Sequence, residues 1–159
     1  MPDVNGKSAG FIGYKARLSR STAGNAGPWT AVPETKNFNP GEKTVDEAEF
    51  TYLESPGKVR EFKPTFSDGG TMTVVCNFLD TVLDAAGAAV QTAIIAALGV
   101  EDANYYWKIE WKKNDETGTV LRTVIFPGYV SSAKPPDTTT SDPVEFSFSV
   151  RVSGAEVWS

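Results

Sequence analysis

The sequence predicts a mainly β (α+β) protein: an antiparallel β-sandwich or barrel with one flanking α-helix and a long extended loop. Three observations predict it. Several segments alternate apolar and polar residues with a period of two, one segment alone carries small apolar residues at helical spacing, and a polar stretch between Pro33 and Pro64 lacks either pattern. The length of 159 residues suits a single domain with one core.

The first alternating segment sets Ile12, Tyr14, Ala16 and Leu18 against Gly13, Lys15, Arg17 and Ser19. Another places Met72, Val74, Cys76 and Phe78 on one face of a strand over Thr71–Phe78. From Tyr105, the residues Tyr105, Trp107, Ile109 and Trp111 oppose Tyr106, Lys108, Glu110 and Lys112. Asn114 to Gly118 is a turn signal, so Tyr105–Lys113 and Thr119–Pro127 should form a hairpin. Gly128 after Pro127 predicts a bend or bulge before Tyr129–Ala133, and Lys134 to Pro143 predicts a loop. The last strand sets Val144, Phe146, Phe148, Val150 and Val152 against Glu145, Ser147, Ser149 and Arg151, a half-covered antiparallel pattern.

The helix is expected from the stripe Val82, Ala86, Ala89, Val90, Ala93, Ile94, Ala97 and Leu98, with Gly99 as its stop and Gly87 weakening its first turn, so that it begins near Ala88. Loops longer than about 12–15 residues are uncommon in compact domains and are usually functional or disordered. The Pro33–Pro64 stretch carries Phe50, Thr51, Tyr52 and Leu53 at its middle, and then a turn at Glu54-Ser55-Pro56-Gly57, which predicts a hairpin-like excursion. One arm is acidic (Asp46, Glu47, Glu49, Glu54) and the other is richer in bases (Lys58, Arg60, Lys63). Two outcomes remain open: the arms pair with each other, which composition favours, or the loop presents its charges to a neighbouring subunit.

Composition is poor in catalytic chemistry. There is no histidine, which removes the commonest general base and metal ligand. The single cysteine, Cys76, lies in an apolar strand pattern and reads as a buried hydrophobe. Glu110 and Glu116 are a conceivable carboxylate couple, but they flank a solvent-side hairpin with no sign of a cleft. Asp68-Gly69-Gly70 is a turn before a strand, with no helix or lysine placed to cradle a phosphate. We therefore expect no catalytic residue, metal or cofactor. The net charge of −5 argues against a surface that grips nucleic acid by neutralising phosphates. The polar N-terminus and the apolar stretch from Val82 to Leu98, interrupted by Asp84, Gln91 and Thr92, predict a soluble chain that is cytosolic when made and has no membrane partner.

The ordered combination of these pieces resembles a known family. Trp29-Thr30-Ala31-Val32, Pro40-Gly41-Glu42 and the acidic-aromatic run Asp46 to Glu54 are followed by the Thr71–Phe78 strand and by the helix with Gln91-Thr92-Ala93-Ile94-Ile95-Ala96. Tyr106-Trp107-Lys108-Ile109, the hairpin turn, Phe126-Pro127-Gly128-Tyr129-Val130-Ser131-Ser132 and the closing strand Val144–Val152 come next. From Trp29 to Gly154 this resembles the major tail tube proteins of lambda-like, long-tailed, non-contractile bacteriophages.

The resemblance implies a tail tube fold and a structural virion protein. Six copies would close into a ring, and rings would stack into the hollow tube through which DNA is delivered. Within it, the long loop makes the inter-ring contact through Asp46, Glu47, Glu49, Phe50, Tyr52, Glu54, Lys58 and Arg60. Thr71, Thr73, Glu145, Ser147 and Ser149 would line the lumen with short groups and a negative bias, passing double-stranded DNA without binding it. Phe11 in an N-terminal arm of residues 1–10 or so, and Trp158, are candidates for bracing a neighbouring subunit. Implied partners are further copies of the chain, the tape measure protein, and terminator and distal tail or baseplate proteins; implied locations are the host cytoplasm during assembly and then the virion tail. Some relatives continue into an immunoglobulin-like domain, whereas this sequence stops at Val157-Trp158-Ser159 and predicts a smooth tube. Two alternatives are a tail terminator or distal tail ring and, more remotely, a soluble ligand-binding β-barrel, suggested by the four Trp and the alternating strands. A type VI secretion tube shares the architecture, with loop and strand details further away.

Overall fold

In the computed structural model, residues 13–113 and 117–159 are described. The strands are β1 (Arg17–Ser21), β2 (Thr30–Ala31), β3 (Thr35–Asn39), β4 (Thr44–Glu49), β5 (Phe62–Asp68), β6 (Thr71–Asn77), β7 (Tyr106–Lys112), β8 (Val120–Lys134), β9 (Glu145–Val152) and β10 (Val157–Trp158); the helix α1 is Ala85–Ala96. Seven strands run in the order β2-β1-β7-β8-β9-β6-β3, with β10 added against β8, and β4 and β5 form a separate two-stranded sheet. Every pairing is antiparallel. This is the mainly β architecture with one helix that the alternation predicts.

The long sheet becomes a sandwich because β8 serves both halves. Tyr106 to Lys112 of β7 pair with Pro127 back to Val120, whereas Gly128 to Lys134 pair with Val152 back to Ser147 of β9. The two halves then face each other. Leu18, Trp107, Ile109, Val124 and Phe126 from one half meet Met72, Val74, Cys76, Phe146, Phe148 and Val150 from the other in one buried cluster. The Trp107 and Phe148 rings lie 5.8 Å apart between their centroids. The Trp107 indole nitrogen donates to the Gly128 carbonyl, so the largest core side chain is also hydrogen-bonded where β8 changes partners. A Cβ on Gly128 would lie 2.7 Å from the Arg151 carbonyl oxygen, which accounts for glycine at this crossing.

Several expectations need correction. The first strand begins at Arg17, because Gly13–Lys15 form a 3-10 turn; Ile12 lies outside the described residues. β8 does not end at Gly128 but continues to Lys134, and its register irregularity falls between Val130 and Ser132. Phe78 lies past the end of β6 and is half-exposed, so it does not complete the inward set. The hairpin strands Tyr106–Lys112 and Val120–Lys134 form as expected, while turn residues 114–116, including Glu116, lie outside the described residues. The Glu110 carboxylate is held between Lys108 at 2.5 Å and Lys112 at 3.8 Å.

The helix differs in start and in face. It begins at Ala85, capped by the Asp84 carboxylate, which accepts from the Gly87 amide at 2.9 Å. Gly87 does not weaken this turn but permits it, since a Cβ there would come within 2.4 Å of the Asp84 side chain and 2.6 Å of Leu79. Gly99 ends the helix region at φ 72° and donates to the Val130 carbonyl at 2.8 Å, tying it to β8. Of the expected stripe Ile94 and Ala97 are buried and Val90 half-buried, whereas Val82, Ala86, Ala89, Ala93 and Leu98 are exposed; Gly87, Ala88 and Gln91 complete the buried side.

Gln91 joins the helix to the chain leaving β6. Its amide oxygen accepts from the Leu79 N–H at 3.0 Å, and its amide nitrogen donates to the Asn77 carbonyl at 2.6 Å. Cys76 is buried beside it, and burial pushes its thiol up to about 11 against a Gln91 hydrogen bond that works the other way. Arg20 is buried on the core side of β1 with its guanidinium over Tyr105 at 5.1 Å and Trp107 at 5.8 Å, and burial pushes its pKa down. The sequence pattern gave no sign of this arginine, since flat aromatic faces rather than a carboxylate receive it.

Replacing Gln91 with leucine keeps the volume but leaves the Leu79 amide and Asn77 carbonyl unpaired. The expected loss is about 1–3 kcal/mol for each stranded group, read as a lower urea midpoint with unchanged slope; an unchanged midpoint would show that water replaces the latch.

Candidate functional site

Among the described residues, β4 and β5 stand apart from the sandwich and pair only with each other. The excursion thus spans Thr44–Asp68, not Pro33–Pro64: the front of that stretch is β3, which pairs with β6. Such a hairpin is marginal in water without support, and here the support is at its base. Gly41 passes so close to Thr71 that a Cβ would lie 2.4 Å from its amide nitrogen. Gly70, at φ 76°, is equally close to the Glu42 carbonyl. The Asp68 carboxylate accepts from the Gly70 amide at 2.7 Å and from Arg151 at 2.6 Å, and Lys43 reaches Glu156 at 3.4 Å.

The arms are in register except for an irregularity between Val45 and Glu47, where the Thr65 hydroxyl donates to the Asp46 carbonyl. The tip is built from its own hydrogen bonds. Phe50 N–H donates to the Glu61 carbonyl at 2.8 Å, Glu61 N–H donates to the Thr51 hydroxyl at 3.0 Å, and Tyr52 N–H donates to the Ser55 hydroxyl at 3.1 Å. Gly57 and Lys58 both take positive φ in the turn. This ordered tip holds apolar side chains in solvent: Phe50, Tyr52, Val59 and Phe62 are half or more exposed, Phe66 is 83% exposed and Leu53 entirely so.

Cross-hairpin charge pairing is sparse. Arg60 lies 3.9 Å from Glu49, and Lys63 sits 4.8 Å from the centre of the Phe50 ring. Among the described residues, no ion pair engages Asp46, Glu47, Glu54 or Lys58. Most of the charge that the sequence places on this loop is therefore directed outward.

A second surface is the outer face of β6 and β9. Alternation places Thr71, Thr73, Ser147, Ser149 and Glu145 together: Thr73 is registered with Ser149, Thr71 with Arg151, and Asn77 with Glu145. The face is not acidic, because Glu145 is ion-paired with Lys36 and Arg151 with Asp68. Short hydroxyls and matched charges replace the expected negative bias. Beyond this face, among the described residues, β3 ends the sheet with its outer edge unpaired, and the short β2 ends the other side.

Trp158 lies in β10, whose residues pair with Ile125 and Val124 of β8. Its ring stacks on Trp111 at 5.8 Å and 5° within the same subunit, and one side remains half-exposed. Phe11 lies outside the described residues. The apolar recess between the half-sheets, lined by Met72, Ile109, Trp111, Val124, Phe126 and Trp158, measures about 90 Å³. Small-molecule sites commonly occupy roughly 300–1,000 Å³, so the aromatic interior is filled core rather than a ligand chamber.

No family model matches the chain, and no curated protein matches it. Solved structures do. A chain of the sheath–tube complex of an extracellular contractile injection system, PVC, in its extended state is similar with a TM-score of 0.69 and 13% identity, over 95% of this chain and 92% of that one. The chain has the tail tube fold. It is also similar to a chain from the tail of an empty GTA particle refined helically with C6 symmetry, with a TM-score of 0.64, 12% identity and coverage of 94% and 99%. A chain of the SPP1 tail tube gives a TM-score of 0.61 and 16% identity over 94% of this chain and 78% of that one. At these identities the likeness is one of fold, and because the neighbours include a contractile system it does not single out the long-tailed, non-contractile type that the sequence resembles.

The Gly70 amide, ahead of Arg151, holds the Asp68 carboxyl below its ordinary value of 3.8. The ionised form therefore stabilises the hairpin base fully above that value, and this contribution is lost as pH falls through the lower folded value. Thermal melts in the acid range should show a flatter loss of stability with falling pH for Asp68→Asn than for the natural chain. Equal slopes would mean that the carboxylate is not linked to folding.

Proposed function

We propose that this chain is the tail tube subunit of a lambda-like, long-tailed virion, six copies closing into a ring and rings stacking into a hollow conduit for DNA. The observation that carries the reading is the likeness of fold, over nearly the whole of both chains, to a chain from a tail refined with six-fold helical symmetry. The open edges at β3 and β2 suit ring closure, since an exposed strand edge is a template for pairing with another chain. A head-to-tail contact that closes gives a ring, and one that does not close gives a filament.

In this reading the Thr44–Asp68 hairpin makes the inter-ring contact, with Asp46, Glu47, Glu49, Glu54, Lys58 and Arg60 setting register and Phe50 and Tyr52 supplying apolar area. The face carrying Thr71, Thr73, Glu145, Ser147 and Ser149 lines the lumen. Its charge matching leaves nothing for a phosphate backbone to adhere to, which serves passage better than repulsion that fades beyond about 8 Å. The exposed side of Trp158 braces a neighbouring subunit. The tape measure protein occupies the lumen before DNA, terminator and distal tail or baseplate proteins meet the two ends, and assembly takes place in the host cytoplasm before the subunit reaches the virion tail.

Electron microscopy of the purified protein across a concentration series tests this. Hollow tubes of stacked six-fold rings are expected. Rings that never elongate, even when tail tips bearing tape measure protein are added, would favour a terminator or distal ring instead. Monomers that stay monomeric under the same conditions would overturn the assembly reading.

The lumen assignment has its own test. Ser147→Lys with Ser149→Lys adds unpaired cations to that face and should slow DNA ejection from particles whose tubes look normal. Unchanged ejection would place the face elsewhere.

A further inference from the structure

The outer face of α1 is unusual for a surface helix. The helix, AAGAAVQTAIIA, contains no charged residue. Its buried side uses Gly87, Ala88, Gln91 and Ile94, which leaves Ala85, Ala86, Ala89, Thr92, Ala93, Ile95 and Ala96 facing out, with the Thr92 hydroxyl turned back onto the Ala88 carbonyl. Val82 and Leu83 before it are 86% and 87% exposed, and Leu98 and Val100 after it are also exposed. Apart from Gln91 and Thr92, whose side chains bond to backbone, the helix is apolar, and such a helix is normally covered on every side, yet within the subunit α1 packs against the sandwich through β8.

The rim of this face is acidic. Between Lys63 and Lys108 there is no lysine or arginine, while Asp80, Asp84, Glu101 and Asp102 flank the helix. Asp84 is engaged at the cap, and none of the other three forms an ion pair among the described residues. The tip of the β4–β5 hairpin is its counterpart: exposed Tyr52, Leu53 and Val59, with Glu54 at the turn and Lys58, Arg60 and Lys63 outnumbering Glu61 on the return arm.

Resting on the tube reading, we infer that the outer face of α1 is the docking surface for the hairpin tip of a second copy of this chain. Leu53 and Val59 would lie over the alanine-rich face, and Lys58 and Arg60 would meet the acidic rim. The polarity fixes the orientation, because turning the hairpin over would bring Asp46, Glu47 and Glu49 against the same acids. Each subunit carries one tip and one helix face, so the contact is heterologous, and in the tube reading it is the one that runs from ring to ring.

Two measurements test this. A photo-crosslinking amino acid at Leu53, whose side chain is fully exposed, should yield a covalent dimer in assembled material, with the adduct mapping to residues 82–101; an adduct elsewhere would overturn the inference. Charge exchange is the second. Lys58→Glu with Arg60→Glu, or Ala93→Lys with Glu101→Lys, should each raise the concentration needed for tube growth about tenfold or more by setting like charges together. A chain carrying all four changes should recover growth, because the pairs are exchanged rather than lost, and recovery also shows that each change is compatible with folding. Normal growth of either charge variant, or no recovery in the combined chain, would sink the docking surface while natural-chain tubes left the tube reading standing. A natural chain that forms no tubes would sink both.

Discussion

Strand β8 must hydrogen-bond to β7 over Val120–Pro127 and to β9 over Gly128–Lys134, and this one constraint shapes the rest of the subunit. A strand shared in this way brings two half-sheets face to face, so the inward residues of β7 have to pack on those of β9. Trp107 against Phe148 is the central case, with the indole also bonded to the Gly128 carbonyl at the changeover. Glycine at 128 follows from the close approach of the Arg151 carbonyl. The helix is fastened to the same strand through Gly99 and Val130, and to the end of β6 through Gln91. Because these ties converge on a filled core, the sandwich is a rigid frame on which an otherwise marginal hairpin can stand.

That division of labour connects stability to function. The body contains the buried clusters, whereas the aromatics of the hairpin are half or more exposed. A lone two-stranded ribbon gains little free energy in water, so its order depends on the clamp formed by Gly41, Gly70, Asp68 and Arg151. Segments of low local stability are the ones that reorganise on binding. A clamp at the base and a self-bonded tip preserve the shape of the tip while leaving its apolar surface free for a partner.

Much of this was legible in the sequence. Period-two alternation gave β6, β7 and β9 to within a residue or two, because each has one face on a single core and one on polar surroundings, and the same alternation put Thr71, Thr73, Ser147 and Ser149 on a shared face. Pairings formed after folding were not legible. Lys36 lies far along the chain from Glu145, so the loss of the expected negative bias could not be read from local pattern. Arg20 looked like an ordinary polar strand residue, since aromatic rings carry no charge that a sequence reading would match to it. Pro33–Pro64 was misbounded because β3 is short and polar, and its place is set by β6 rather than by its own pattern.

The misread helix face is the most instructive difference. Periodicity locates a buried face only when the opposite face is polar, and α1 offers no such contrast: Ala86, Ala89 and Ala93 are as apolar as Ala88 and Ala97. Gln91, the most polar residue of the inner face, is buried because its amide pairs with backbone at Leu79 and Asn77, which reverses the usual sense of the signal. The ambiguity and the biology then have one cause. A helix whose faces cannot be ranked by hydrophobicity keeps an outer face suited to burial, and the subunit itself covers only the inner one.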